Sequence, residues 1–257
     1  MSRPWFEESF GREYLEVYPH RGDEEASLQI PAVRELLGAH PPGPLLDLCC
    51  GTARHAVLLA RDGFRVVGLD LSEALLEKAR ARLRVAAPAP PPGITLVRGD
   101  MRSLPFRGDS FRWIVNLFTS FGYFDEDDNL RALQEAGRVL TPDGRMLIDT
   151  LNPDRAVLSL QPRTVRQEGD LVIVEERSLD RERGRIDKTV AISGRTRSGS
   201  AIRRTFRESV ALYPMPRMVS LLRDAGLGVV QAAGGFDGCS YTRDSERMIL
   251  VTRKEKR

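Results

Sequence analysis

Apolar positions along the chain follow two periods that alternate for most of its length. Residues 1–40 carry helical spacing around Trp5, Phe6, Tyr14, Leu15 and Tyr18, and then around Leu28, Ile30, Val33, Leu36 and Leu37. Pro41-Pro42-Gly43-Pro44 stops that pattern, because proline cannot continue a helix. Leu45-Leu46-Asp47-Leu48-Cys49 is a short apolar run without alternation, as suits a parallel strand covered on both faces. Thr52 is expected to open a helix carrying Ala56, Val57, Leu59 and Ala60 and stopping near Gly63. Arg65–Leu69 reads as a second strand ending at Asp70, and Ser72 as the cap of a helix with Ala74, Leu75, Ala79 and Leu83 on one face. A stiff Ala/Pro loop spans 86–93. Ile94–Val97, Phe111–Leu117 and Gly144–Thr150 follow as strands, with a helix from about Asp127 to Leu140 before the last of them. Strand–helix alternation at this spacing predicts an α/β fold, a doubly wound and mostly parallel seven-stranded sheet with right-handed crossovers.

The period changes after the fifth strand. From Thr164 to Leu212 no helical spacing is present. Leu171–Leu179, Arg185–Ile192 and Ala201–Leu212 read as strands, separated by Glu168-Gly169-Asp170, Arg183-Gly184 and Ser198-Gly199-Ser200. This predicts an antiparallel β insertion at 161–212, splitting the α/β domain into 1–160 and 213–257. A helix near Pro214–Ala225 and strands near Leu227–Ala232 and Arg247–Thr252 restore the first pattern.

Composition narrows the classes. Of 257 residues, 41% are hydrophobic and 29% charged, which excludes a disordered chain. No run approaches the roughly 20 apolar residues of a membrane span, and Glu7 and Glu8 fall where an export signal needs apolar residues. The three cysteines, an odd count with an adjacent pair, make a reducing, cytoplasmic home the expectation. Lys+Arg number 39 against 36 Asp+Glu, a surplus too small to name a nucleic-acid partner. Cys49, Cys50 and Cys239 have neither disulfide-framework nor zinc spacing, so no metal is expected.

The chemistry concentrates in Asp47-Leu48-Cys49-Cys50-Gly51-Thr52-Ala53-Arg54, which joins the first strand to the first helix beside the topological switch point. Small residues there let a ligand approach the backbone. Asp70, 19 residues after Gly51, ends the next strand where an acid can accept ribose hydroxyls. A dinucleotide needs G-x-G-x-x-G, of which only Gly51 is present, and Asp47 would repel its pyrophosphate. S-adenosylmethionine (SAM), with an ammonium and a sulfonium but no phosphate, fits the acid better.

Leu45–Arg54 resembles the first motif of the class I SAM-dependent methyltransferases, usually (V/L)-L-D-(L/V)-G-C-G-T-G. Asp70-Leu71-Ser72 resembles the second, Gly99-Asp100-Met101 the adenine-contacting segment, and Asn116–Tyr123 the stretch after the fourth strand. Leu212–Met215 to Leu227 and Gly235–Gly238 to Lys254 resemble the closing segments of the small-molecule branch, which often carries a β insertion after the fifth strand. The resemblance implies an enzyme, with SAM as cofactor, S-adenosylhomocysteine as product and a small-molecule acceptor methylated on N or O. It implies cofactor contacts from Tyr14, Asp47, Cys49, Gly51, Arg54, Asp70, Leu71, Ser72, Asp100, Met101, Asn116 and Phe118. Cys49 and Ala53 replace two glycines of the motif, and left-handed angles at either would cost about 1 kcal/mol or more.

Substrate contacts are expected from Tyr18, Tyr123, Asp149 and Asn152, and His20, Tyr123 and Asp149 are candidates for a base. Cys49 and Cys50 read as small hydrophobes in the cofactor loop rather than nucleophiles, and His55 as a packing residue. The insertion is expected to cover the substrate pocket. Its Arg195, Arg197, Arg203, Arg204 and Arg207 keep RNA methylation open, although local acids offset them and nucleic acid is disfavoured. A SAM-binding module without turnover is a third reading. A monomer or homodimer, with no membrane partner, is expected.

Overall fold

The computed structural model describes residues 4–11, 14, 17–18, 22–85, 93–196 and 199–255. Among the described residues, the helices α1 (Trp5–Glu8) and α2 (Asp23–Leu37) stand in the region of N-terminal helical spacing. There follow β1 (Pro44–Leu48), α3 (Arg54–Arg61), β2 (Arg65–Asp70), α4 (Glu73–Val85), β3 (Ile94–Arg98), β4 (Phe111–Asn116), α5 (Glu126–Val139), β5 (Leu140–Leu151) and α6 (Pro153–Leu158). The strands β6 (Arg163–Glu168), β7 (Leu171–Asp180), β8 (Arg185–Arg195) and β9 (Ala201–Ala211) come next. The chain closes with α7 (Met215–Asp224), β10 (Leu227–Ala233) and β11 (Arg247–Lys254).

Seven strands form one sheet in the order β10-β11-β5-β4-β1-β2-β3. The pairs β1–β2, β1–β4, β2–β3 and β4–β5 are parallel; β5–β11 and β10–β11 are antiparallel. Parallel strands are covered on both faces, which explains the unbroken apolar run Leu45-Leu46 with Leu48. One core holds Leu46, Leu48, Ile114, Ile148 and Leu250 against α5 and α7; the other holds Leu45, Trp113, Val115, Leu147 and Val251 against α2 and α3. Because the order reverses between β1 and β4, a crevice opens at their carboxyl ends. Among the described residues, no helix is long and apolar enough to cross a membrane.

The remaining strands make a separate antiparallel sheet, β6-β7-β8-β9. Gly169 and Gly184 sit at two of its turns with φ of 59° each, the left-handed conformation that favours glycine. Four strands stand where three were expected. The fourth, β6, alternates Arg163, Thr164, Val165, Arg166, Gln167 and Glu168, so it shows little apolar patterning. Helix α6 was also not expected. Two further boundaries differ: α3 begins at Arg54 rather than Thr52, because Ala53 is left-handed, and β5 begins at Leu140 rather than Gly144. Ser72 caps α4 as expected, its Oγ accepting from the Leu75 amide at 3.2 Å.

A buried arginine bolts the small sheet to the large one. Arg185 donates to the carbonyls of Phe124 (2.7 Å), Gly122 (3.1 Å), Tyr123 (3.2 Å) and Ser209 (2.8 Å), and to Ser209 Oγ (2.8 Å). The segment Gly122–Phe124 belongs to the loop after β4, so Arg185 ties the insertion to that loop.

Candidate functional site

A cavity of about 600 Å³ lies over the carboxyl ends of β1–β4 and runs to the inner face of the small sheet. That is within the ordinary range of small-molecule pockets. The β1–α3 loop forms its floor. Cys49, Gly51 and Ala53 have φ of 66°, 55° and 60°, so every second residue is left-handed. Two of the three carry a Cβ, a strain of roughly 1–2 kcal/mol each. Local bonds sustain it: Cys50 N–H donates to Leu69 O (3.0 Å), Ala53 N–H to Cys50 O (2.9 Å) and Gly51 N–H to Asp70 Oδ2 (2.8 Å). Gly68 is required beneath this loop, since a Cβ there would stand 2.9 Å from Cys50 Sγ.

Asp70 therefore anchors the loop from below. Its other oxygen, Oδ1, accepts from the Ser72 amide at 2.8 Å. Burial pushes its pKa above the ordinary carboxylate value, with the amides of Ser72 and Gly51 working the other way. Asp47 is buried beside it, and its Oδ2 has no hydrogen-bond partner. Burial first, and then the Asp70 charge, push the Asp47 pKa to about 7. An orphaned acid oxygen at a cavity wall suits a cationic group, and the ammonium of SAM is one.

Arg54 lies opposite, paired with Glu25 at 2.5 Å, its guanidinium 4.6 Å from the centre of the Phe118 ring. Asp100 is gripped by Arg102, with Nη2 at 2.6 Å from Oδ2. Burial alone would raise its pKa, but the Arg102 hydrogen bonds hold it below the usual value. Met101 packs its sulfur 3.9 Å from Cys49 Sγ. Burial pushes both Cys49 and Cys50 well above the ordinary thiol value, so neither supplies a thiolate. His55 bonds to Gln29 at 2.8 Å, and burial, helped by Arg54, lowers its pKa to about 3.

Aromatic rings arch over the cavity from the N-terminal segment. Phe10 stacks on Tyr123 at 5.5 Å, Trp5 meets Tyr123 at 5.0 Å, and Tyr14 lies 4.9 Å from Tyr18. Ser72 Oγ donates to Phe10 O at 2.6 Å and so ties this arch to the β2 exit.

Of the expected site residues, Tyr14, Tyr18, Asp47, Cys49, Gly51, Arg54, Asp70, Leu71, Ser72, Asp100, Met101, Phe118 and Tyr123 line this cavity. Asn116, Asp149 and Asn152 are not among its lining residues and are committed elsewhere. Asn116 Nδ2 donates to Leu48 O at 3.0 Å, joining β4 to β1. Asn152 donates to the carbonyls of Thr242, Arg243 and Ser245 and accepts from the Tyr241 hydroxyl at 3.1 Å. Asp149 is almost wholly buried: it accepts from Arg247 Nε at 2.7 Å and from the Phe118 amide at 2.8 Å. Asn116 was expected from the resemblance, and Asp149 and Asn152 from their place at the end of the fifth strand; each side chain turns into the protein instead. His20, Arg197 and loop residues 86–92 lie outside the described residues.

The Asp149 arrangement has a local purpose. Phe118 and Thr119 are both left-handed, with φ of 67° and 58°. Thr119 N–H donates to Asp149 O at 3.0 Å, and Arg247 Nη2 donates to Thr119 Oγ1 at 2.7 Å. Asp149 and Arg247 thus clamp a strained turn that presents Phe118 to the cavity. Arg247 itself lines the cavity, as do Thr164, Arg177, Lys188 and Glu208 of the small sheet. None carried a sequence signal, since strand pairing alone brings them there.

Comparison with known proteins agrees with this geometry. Residues 45–144 match a family model described as a methyltransferase domain. A demethylmenaquinone methyltransferase of Listeria welshimeri is 33% identical over 114 residues, covering 43% of this chain and 46% of the relative. The putative methyltransferase YqeM of Bacillus subtilis is 33% identical over 108 residues, covering 42% of each. The chain thus spans about half the length of the curated relatives it matches. Among solved structures, the CcbJ methyltransferase of Streptomyces caelestis superposes with a TM-score of 0.80 at 21% identity, over 96% of this chain and 98% of that one. A SAM-dependent methyltransferase of Clostridium acetobutylicum gives 0.78 at 15% identity, over 95% and 96%. A SAM-bound amino pentose methyltransferase of Micromonospora echinaspora gives 0.66 at 21%, over 94% and 96%. At these identities the likeness is one of fold.

Proposed function

We propose that this chain, which carries the methyltransferase domain and fold of the class I SAM-dependent methyltransferases, transfers the methyl group of SAM to an N or O atom of a small molecule. The observation that carries the reading is one cavity with two chemically different ends. At one end lie the buried acids Asp47 and Asp70 under a strained loop; at the other lies the small sheet. Asp70 would receive the ribose hydroxyls, since each of its oxygens spends one bond on a backbone amide and keeps further acceptor capacity. Asp47 would receive the ammonium and Arg54 the carboxylate of the methionine moiety. Asp100 and Met101 would meet the adenine, through polar and apolar contact respectively.

SAM supplies an activated methyl on a sulfur that departs as a neutral thioether. The protein therefore has to align and desolvate the reactants, and proximity of this kind contributes roughly 7–11 kcal/mol. The Asp149–Arg247 clamp and the aromatic arch serve that end. Tyr123, the one base candidate among the described lining residues, would hold a proton relay position in the arch. The insertion would form the wall over the acceptor. The names of the similar proteins, which include menaquinone-precursor and amino-sugar methyltransferases, support a small-molecule acceptor. Arg195, Arg203, Arg204 and Arg207 do not line the cavity, so no observation favours RNA.

The test is incubation with methyl-labelled SAM and a fractionated cell extract. Label is expected in a small-molecule fraction, with S-adenosylhomocysteine formed in equal amount. Label confined to RNA, or none in any acceptor despite SAM binding, defeats the reading.

A further inference from the structure

We propose that the inner face of the four-stranded sheet is the acceptor subsite, and that Arg177, Lys188 and Glu208 select a polar acceptor rich in hydroxyl or amino groups over an apolar ring such as a quinol. This rests on the methyl-transfer reading above and names the substrate class for the same cavity.

The register sets the subsite out. Arg177 pairs with Lys188 across β7–β8, and Lys188 with Glu208 across β8–β9, so the three form one cross-strand row. With strands about 4.8 Å apart, the row spans about 10 Å. All three side chains line the cavity. Glu175, two residues back on the same face, stands behind them and is nearly fully buried. Lys188 Nζ lies 2.8 Å from Glu208 Oε2 and 3.6 Å from Glu175 Oε1, and also donates to the Tyr18 hydroxyl. Arg177 pairs with Glu175 and donates to Thr164 Oγ1 at 3.0 Å.

The same face has two characters. Leu171, Ile173, Val190 and Ile192 gather with Val17 and the Tyr18 ring in one apolar cluster. Arg166, opposite Ile173, carries charge on this face beside Val17 as well, and where the face meets the cavity its charges are Arg177, Lys188 and Glu208. Holding the sheet together does not require those charges, since apolar residues of similar volume do that at least as well. Their placement suits a ligand instead. Within one row the wall offers donors from two cations and acceptors from a carboxylate, a match for a molecule bearing both kinds of group. Glu208, with Glu175 behind it, opposes a bare polyanion. An apolar ring would strip water from all of these groups and return no hydrogen bonds.

The experiment uses the full chain, methyl-labelled SAM and an aqueous–organic partition of a metabolite extract, with a reduced naphthoquinone as the apolar probe. Products are resolved chromatographically against SAM standards. The expected result is label in a water-soluble product, none in the quinol, and a KM for the purified polar acceptor raised at least about tenfold by Glu208→Gln and by Lys188→Met. The SAM dissociation constant, measured by calorimetry, is expected to stay within twofold in both variants. The purified acceptor is also expected to raise the melting temperature of the wild type more than that of either variant. Label in the quinol overturns the proposal. So does a pair of folded variants with reduced melting temperature but unchanged KM, the signature of a purely structural network. No transfer to any acceptor despite SAM binding overturns the methyl-transfer reading itself, and the absence of SAM binding overturns the cofactor assignment beneath both.

Discussion

Asp47 makes the ligand-free protein less stable than it could be, and replacing it should show this directly. Its pKa stands at about 7 against an ordinary 3.8, because burial and the neighbouring Asp70 charge disfavour the carboxylate. Each tenfold in that equilibrium is about 1.4 kcal/mol, so the ionised form costs the fold about 4 kcal/mol. The sign follows from proton binding: between about pH 4 and pH 7 the folded chain holds a proton that the unfolded chain has lost. The Asp47 contribution to stability is therefore complete at low pH and lost as pH rises through 7. Asn at this position cannot ionise and keeps an acceptor oxygen for the Ala56 amide. Asp47→Asn, which removes this penalty, is expected to raise stability by roughly 1.5 kcal/mol at pH 5 and by up to about 4 kcal/mol at pH 8. Denaturant unfolding at the two pH values, without SAM, measures both. The same variant is expected to bind SAM more weakly at pH 8, having lost the charge that would meet the ammonium. A variant equally or less stable than wild type at pH 8 refutes the reasoning.

Other perturbations separate the structural devices around the cavity. Arg247→Met leaves the buried Asp149 carboxylate without its cation and frees the Phe118–Thr119 turn; a loss of about 3–5 kcal/mol in denaturant unfolding is expected, and under 1 kcal/mol would contradict the clamp. Arg185→Met strands the carbonyls of Gly122, Tyr123, Phe124 and Ser209, so stability is expected to fall by about 3 kcal/mol or more, with hydrogen exchange rising first in β8, β9 and the loop at 122–124. Ala53→Gly removes a Cβ at a φ of 60° and loses one buried methyl. The strain of roughly 1–2 kcal/mol outweighs a methyl of about 0.8 kcal/mol, so thermal unfolding should show a slight gain in stability. A loss above 1 kcal/mol would mean the loop is not strained there.

What the sequence disclosed divides along chemical lines. The β1–α3 loop and Asp70, which line the cavity, were legible because their pattern is local: a turn of small residues, then an acid 19 positions after Gly51. The parallel sheet was legible from apolar runs bounded by proline and glycine. Position within a strand was visible where side-chain direction was not. Asp149 lies near the end of β5 and Asn152 just past it, but Asp149 turns towards Arg247, 98 residues away, and Asn152 towards the loop at 242–245. Arg177, Lys188 and Glu208 were hidden for the same reason. Each is an ordinary charged residue on an ordinary strand, and only the β7–β8–β9 register sets them in one row. Strand β6 escaped because an edge strand in a polar setting needs little apolar alternation.

The central claim is that the carboxylate ending β2 holds the ribose of SAM in the cavity over β1–β4. Calorimetric titration of SAM into the wild type and into Asp70→Ala tests it most directly. One SAM per chain is expected for the wild type, with affinity reduced by about a hundredfold or more in the variant, as for a lost charge-assisted pair of hydrogen bonds. Folding of the variant is checked by its circular dichroism. Equal affinity in a folded variant would contradict the claim.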